Sequence, residues 1–561
     1  MKTIPSMEKI FTYARKIYTK KLEKGKNLLE LTTYNNISMW WLSNSMFRVF
    51  LNKVVIGKID DKKYRRKFIL FYKSFGIYLA FIYDLFLELL LRIIIQITSQ
   101  KKNSKDKFET KKIMFFTPEV TWRVIKDYKT NKMKKTDSFF DTILETSNME
   151  YIAIGVNVID LDPIEGLKVF IDKIKNWHIP YRPANIYWSF NVWKKRIQAF
   201  KYFSNIWKYL KKDKIFREIC IIEEKNFYPQ IKDELDFYFY FLYPHAVGYI
   251  EMGRNMIRSE KTNLIVLFDE YEFKEKSFLV IAAKLENIPT LALEHAIIFP
   301  AHEGYMYEKG EISPIGGIYS PYYQITDKTA VYGEYYKELL TKISVYPENS
   351  VEVTGQPRYD VLAYVDKIYS KKNFITKYKI PNNHRIILWL TQSHGASEDE
   401  NNNNFKTVFE TMKHIKNATL VIKQHPAEGE IYIKMIQANL KKYNINAVLV
   451  PKKSDTYELL FDSDIIITKD STSGIEALAL NKPLIVLNLS GKPDLADYVT
   501  EGVALGVYQP KDLQTTIETI LKDDSMLVKN RKKYVEKNLY KIDGKATERV
   551  INVINNLVRS S

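Results

Sequence analysis

One pattern constrains the fold more than any other, and it occurs twice. Short, mostly apolar runs, continuous rather than alternating in the first half, are separated by longer stretches with helical spacing. In the first half the runs fall at 113–117, 152–159, 264–268, 290–293 and 329–332, and in the second at 351–354, 386–390, 419–423, 447–450, 465–468 and 484–488. Continuous runs of this length are the mark of strands covered on both faces. Strand and helix in alternation build parallel, doubly wound sheets. The chain is therefore expected to be α/β, with one parallel-sheet domain over residues 113–348 and a second over 349–540. A mostly helical extension precedes them over 1–112, and a C-terminal helix follows within 541–561. The section 185–250 is aromatic and basic and reads mostly helical.

Charge separates the extension from the rest. Of 85 Lys and Arg and 66 Asp and Glu, residues 1–112 hold 24 and 9, a net of +15, which leaves only +4 for the other 449 residues. A segment this basic is drawn to anionic surfaces, lipid or nucleic acid. Nucleic acid is the weaker expectation, because no recognisable RNA or DNA module is present and the charge lies away from the α/β domains. The start of the chain has no apolar core or cleavage site of a secretory signal. The apolar stretch 68–98 is long enough to span a bilayer, but Asp84, Glu88 and Arg92 recur every four residues. A helix puts all three on one face, where Glu88 and Arg92 can pair. A helix in the membrane interface, or packed on its own protein, accommodates them better than a span. The flanking clusters 62–67 and 101–102 suit anionic headgroups, or else are solvated loops. The expected location is cytoplasmic and peripheral, at the inner face of the cell membrane. The single cysteine, Cys220, rules out an internal disulfide and a Cys-rich zinc site.

Three motifs in the second half carry chemistry. The strongest is Ile465-Ile466-Ile467-Thr468-Lys469-Asp470-Ser471-Thr472-Ser473-Gly474-Ile475-Glu476. A buried strand ends, small polar residues follow, and a helix begins. Unbonded N–H groups at such a start, with the hydroxyls of Ser471, Thr472 and Ser473, form an anion site suited to phosphate. Glu476 in the first turn is placed for ribose hydroxyls. The plainer alternative is N-capping by Asp470 or Ser471. Next, the strand 420–423 presents Lys423 and His425 at its tip, before Pro426. Finally, Val353-Thr354-Gly355-Gln356-Pro357-Arg358 is a strand–turn junction at the domain boundary. There Gly355 permits close backbone approach and Arg358 can enter the cleft, or the segment is simply a turn.

In the first half the strand 264–268 ends in Asp269-Glu270, the strand 290–293 ends in Glu294-His295, and His302 follows. Carboxylates and imidazoles at neighbouring strand tips suit general-base activation of a hydroxyl; a hydrogen-bonded structural histidine is the alternative, more so for His302. GxGxxG after a strand, GxxxxGK[ST], HExxH and GxSxG are all missing, which argues against a classical dehydrogenase, a P-loop NTPase, a zincin and an α/β-hydrolase. Asp160-Leu161-Asp162 is read as a turn.

The segments 353–360, 423–426 and 470–478, with Lys482-Pro483, resemble GT-B glycosyltransferases. More narrowly they look like the surface and capsule polysaccharide transferases, related to CDP-glycerol glycerophosphotransferases and non-hydrolysing UDP-N-acetylglucosamine 2-epimerases. Ala292-Leu293-Glu294-His295, followed by His302-Glu303-Gly304-Tyr305, resembles the acceptor-side histidine region of such transferases. The resemblance covers about 113–540 and implies two facing Rossmann-like domains. It implies a nucleotide-sugar donor held by Gly355, Arg358, Lys423, His425, Asp470, Ser471, Thr472, Ser473, Gly474 and Glu476. It also implies a glycan or lipid-linked acceptor, and His295 as base, with Asp269 or Glu270 as rival or orienter. No metal and no cofactor beyond the co-substrate is expected. The epimerases carry paired glycines and paired acids where this chain has Ser473-Gly474-Ile475-Glu476, which weakens the epimerase alternative. No second glutamate follows Glu476 at the spacing of retaining enzymes, so inversion is expected.

Overall fold

A computed structural model describes residues 7–55, 76–99, 111–128, 130, 132–146, 151–157, 163–269, 275–300, 302, 304–307, 325–425, 428–445 and 447–560. Glu270, Pro426, the Asp160-Leu161-Asp162 triplet and the basic clusters 62–67 and 101–102 lie outside the described residues.

Two parallel sheets form, as the repeated pattern requires. The first comprises β1 (Lys111–Phe116), β2 (Tyr151–Asn157), β3 (Tyr181–Pro183), β4 (Thr262–Leu267), β5 (Thr290–Leu293), β6 (Lys328–Val331) and β7 (Val351–Val353), in the order β7-β6-β5-β4-β1-β2-β3. The second comprises β8 (Arg385–Leu390), β9 (Ala418–Lys423), β10 (Ala447–Leu449), β11 (Ile465–Thr468), β12 (Leu484–Leu487) and β13 (Leu505–Val507), in the order β10-β9-β8-β11-β12-β13. The unbroken apolar runs are buried on both faces: all four residues of β5, β11 and β12 are inside. In each sheet the order reverses once, between β1 and β4 and between β8 and β11. Ligands of open α/β sheets bind beyond the strand ends at that reversal. The site is therefore to be sought after β1 and β4 in one domain and after β8 and β11 in the other, with β5 and β9 the next strands out. This is the GT-B architecture.

Several expectations need correction. The strand Val351–Val353 does not open the second domain. It pairs in parallel with β6, Thr329 facing Val351, so the first sheet runs to 353 and the junction is the 3-10 helix Pro357–Tyr364. The N-terminal segment is not a separate extension either. Its helices Met7–Thr19 and Met39–Val55 bury Ile10, Trp40, Phe47 and Leu51 in one core with the first sheet. Ser43 Oγ meets Tyr243 OH at 3.1 Å, and Arg48 donates to the Met306 carbonyl at 3.0 Å. The apolar stretch forms the helix Ile77–Ser99. Among the described residues no helix is long and apolar enough to cross a membrane.

Two elements tie the domains together. An antiparallel hairpin follows β1, with strands Trp122–Asp127 and Lys132–Asp137. The last helix, Ala546–Ser560, returns to the first domain, where Val550, Ile551, Ile554 and Val558 join its core. The backbone N–H groups of Ala546 and Thr547 donate to the two carboxylate oxygens of Asp360, at 2.7 and 2.9 Å. Arg549 Nε reaches the Thr354 carbonyl at 2.7 Å.

Candidate functional site

The phosphate-like features of the second domain converge. After β11 the chain turns through Lys469 and Asp470. Gln392, just beyond β8, clamps that turn: its Oε1 accepts from Thr468 Oγ1, Lys469 N and Asp470 N at 3.0–3.1 Å, and its Nε2 donates to Asp470 Oδ1 at 2.5 Å. The helix that follows is Ser473–Ala479, with Thr472 at its N-cap and no side-chain cap bond. Ser471 Oγ accepts from Ser473 N at 3.2 Å, so that hydroxyl is used within the turn. Gly474 is needed for packing, since a Cβ there would lie 2.7 Å from Cε2 of the buried Tyr498. Tyr498 in turn donates to the Ser471 carbonyl at 3.3 Å. Gly474→Ala is expected to displace Tyr498 and destabilise the protein by about 1–3 kcal/mol. An unchanged urea midpoint would show that the turn tolerates the extra carbon.

At the tip of β9, Lys423 and His425 stand with two groups the motifs did not single out. His394 stacks on His425, ring centroids 4.3 Å apart. Lys452 lies beside Lys423, whose Nζ donates to the Lys452 carbonyl at 3.1 Å. Burial lowers Lys423 from its ordinary value, and the charges of Lys452 and Arg123 lower it further. Burial pushes His425 down to about 4, helped by His394, Lys423, Arg123 and Lys452. The buried carboxylate of Glu428, 3.8 Å from His394 Nδ1, and Asp455 offset part of this charge. The cationic groups outnumber them, and such a surplus creates a potential that an anion relieves. Arg123 comes from the hairpin of the first domain, whose turn also reaches across the cleft. Tyr128 lies on Tyr457, centroids 6.3 Å apart, and Lys126 Nζ sits 4.6 Å from the Tyr369 ring.

The junction supplies the bridge between the two halves. Arg358 Cζ lies 5.4 Å from the Phe139 ring, and its Nε is buried without a hydrogen-bond partner. Its charge acts on Glu476, whose carboxyl burial pushes up to about 7 against the pull of Arg358. Gly355 has a different task. Its φ is +77°, and a Cβ there would meet Ala546 at 3.2 Å, so it admits the last helix rather than a ligand. Between the ordinary 4.5 and about 7, folded Glu476 holds a proton that the unfolded chain has released. Stability must therefore fall as pH rises through that window, by up to about 3 kcal/mol. Glu476→Gln is expected to be more stable than the parent at pH 8 and equal to it at pH 5. Urea titrations giving the same difference at both pH values would refute the burial account.

In the first domain, His295 follows β5 and Asp269 follows β4. His295 Nδ1 is 4.0 Å from Asp269 Oδ2. That is too long for a hydrogen bond, but close enough to favour an imidazolium once formed. Asp269 is buried, whereas the His295 side chain is 42% exposed. The His295 ring meets Phe268 and Phe139 at 5.1 and 6.0 Å, so His295 and Arg358 share Phe139. The His295 carbonyl accepts from Tyr332 OH at 2.8 Å. Gln356 Nε2 donates to Tyr332 OH and to the Glu294 carbonyl, each at 3.1 Å. Glu294 is fully buried. Its Oε2 accepts from Tyr332 N at 2.7 Å, the Ile298 backbone N–H also acts on the carboxyl, and burial nevertheless raises it well above the ordinary value. His302 takes a structural place: its Nδ1 accepts from Gly304 N at 3.2 Å, the ring lies between Phe299 and Tyr305, and burial lowers it to about 4.

Thus Asp269, His295 and Arg358 form one group, and Lys423, His425, His394, Lys452 and Arg123 form another, with Glu476 coupled to Arg358. Among the described residues no cluster of three His, Cys, Asp or Glu could hold a metal ion.

Solved structures similar to this chain include three of low identity. A UDP-GlcNAc 2-epimerase from Neisseria meningitidis bound to UDP-GlcNAc is 15% identical, with TM-score 0.47, covering 80% of this chain and 100% of that one. The wall teichoic acid polymerase TagF, soaked with CDPG, is 12% identical, with TM-score 0.45, covering 87% and 99%. A glycosyltransferase from Rickettsia africae ESF-5 is 12% identical, with TM-score 0.43, covering 81% and 100%. No curated protein matches the sequence. Residues 323–555, from just before β6 into the last helix, match the model of the UDP-N-acetylglucosamine 2-epimerase family.

Proposed function

We propose that the protein is a nucleotide-sugar glycosyltransferase that moves a sugar to a hydroxyl acceptor in surface polysaccharide or glycolipid synthesis. The carrying observation is the half-exposed His295 after β5 with buried Asp269 behind it, after β4, the strand that borders the reversal of the first sheet. Nδ1 is the nitrogen turned to Asp269, so Nε2 is assigned the acceptor proton. The acceptor oxygen then attacks the anomeric carbon, the bond from that carbon to the diphosphate breaks, and the configuration inverts. The departing diphosphate gains charge as it leaves. Lys423, Lys452 and Arg123 supply positive potential there, and His425 a hydrogen-bond donor. In this reading they take the part a metal plays in other transferases. Glu476 takes the ribose hydroxyls, and Arg358 holds Glu476 and faces the sugar. The family match makes UDP-N-acetylglucosamine the first donor to test.

A second reading is 2-epimerisation of a nucleotide sugar. The same family match favours it, as does the buried Glu294 carboxyl beside His295, which burial holds well above its ordinary value. The two readings separate cleanly in one experiment. UDP-N-acetylglucosamine is incubated with the protein, with and without a membrane extract as acceptor source, and followed by NMR. UDP release that requires the extract supports transfer. A 2-epimer formed without it supports epimerisation and removes the transferase reading.

A further inference from the structure

The helix Ile77–Ser99 is packed on one side only. Its 23 residues make a rod of about 34 Å. The three charged side chains it carries are all engaged by the protein. Asp84 accepts from Arg196 at 2.9 Å, while Arg92 pairs with Glu88 and also donates to the Ile186 carbonyl at 2.6 Å. Leu87 and Leu91 are buried beside them, and Phe81 lies on Trp188 and Trp193, centroids 5.5 and 4.7 Å apart. The opposite face is apolar and open to solvent. Tyr78, Ile82, Phe86, Leu89, Ile93 and Ile97 recur at three- and four-residue spacing and are 52–70% exposed. Phe190, on the neighbouring helix beside Trp193, is 62% exposed and extends the patch. A continuous apolar face of this size on a protein surface marks an interaction site.

We propose that this face docks on the surface of a bilayer containing anionic lipid, the helix lying flat with the row Ile82, Phe86, Leu89 and Ile93 immersed. Charge selects the occupant. The segment that includes the helix, residues 1–112, carries a net +15. Two copies meeting on this face would bring two such segments together, whereas an anionic surface neutralises one. The three charges that make a membrane span unfavourable serve here as tethers to the protein body, so the immersed face carries none. Helices with this division of faces lie in the interface plane. The inference rests on the helix alone and holds whichever reaction the cleft performs.

The test is co-sedimentation of the full chain with vesicles of phosphatidylcholine alone, and with phosphatidylglycerol added at about 30%. Binding is expected to the mixed vesicles and to be much weaker to the neutral ones. The quadruple variant Ile82→Ser, Phe86→Ser, Leu89→Ser, Ile93→Ser, whose sites are exposed, is expected to fold and to lose at least about 30-fold in partitioning. In a separate variant, Phe86→Trp, emission is expected to shift to the blue on binding and to be quenched by brominated lipid chains. This readout stands even if the quadruple variant fails to fold. The proposal is overturned if the parent stays in the supernatant with both vesicles, if the quadruple variant binds as well as the parent, or if brominated chains leave the emission of the Phe86→Trp variant unchanged. It is also overturned if light scattering finds a dimer that the serines convert to monomer, since the face would then belong to a second copy.

Discussion

Replacing His295 by alanine is expected to lower acceptor-dependent UDP release by about 10²–10⁴-fold, the usual contribution of a positioned general base. The melting temperature should barely move, because the side chain is 42% exposed and the carbonyl that receives Tyr332 OH belongs to the backbone. Asp269→Asn should cost less in rate and leave the KM for the donor nearly unchanged, since Asp269 acts on the imidazolium and not on the nucleotide. A His295→Ala enzyme with undiminished turnover would end the role assigned here. If turnover were instead lost in Glu294→Gln, the epimerase reading would take its place.

The second large effect is expected at His425. Removing one donor to a developing phosphate charge costs about 10²–10³ in rate, and His425→Ala should lose that much while also weakening UDP. The structure adds a pH signature. With no ligand the ring is held down to about 4 by burial and by the cations around it, so it is neutral at pH 7. A diphosphate beside it must raise that value. Binding then takes up a proton, and UDP affinity rises as pH falls from 7 toward 5. His425→Ala should flatten that slope, and His425→Gln should restore part of the pH 7 affinity without restoring the slope. Equal slopes in parent and variant would place the diphosphate elsewhere.

The physics of the two sheets explains which parts are readable from sequence. Runs such as Ile465–Thr468 and Leu484–Leu487 are apolar throughout because both faces are covered, and they declare their strands. Tyr181–Pro183 and Leu505–Val507 do not: each has three residues and lies at a sheet edge. The hairpin escapes detection because Lys132–Asp137 carries four charges and a single apolar residue, Met133, so it lacks the apolar alternation that marks a half-buried strand. Val351–Val353 reads as a strand but of the wrong domain, since nothing local says which sheet a strand joins. At the site, the polar tips after buried strands lead to Lys423, His425, Ser471–Ser473, Asp269 and His295. The same rule applied after the strand at 385–390 would have found Gln392 and His394. Arg123, Lys452 and Phe139 have no comparable signal, because only the folded chain brings them to the cleft.

The return of the last helix has a mechanical consequence. The chain passes between the domains at 354–364 and again ahead of Ala546, and the two passages are riveted side by side by Asp360 and Arg549. Two parallel straps fixed to each other resist twist and lateral slip, and leave rotation about the line they define as the soft degree of freedom. Rotation about that line is therefore the relative motion of the two sheets that these bonds oppose least. Tyr128 and Lys126, which lie on Tyr457 and Tyr369 across the cleft, are the contacts that such a rotation would part first.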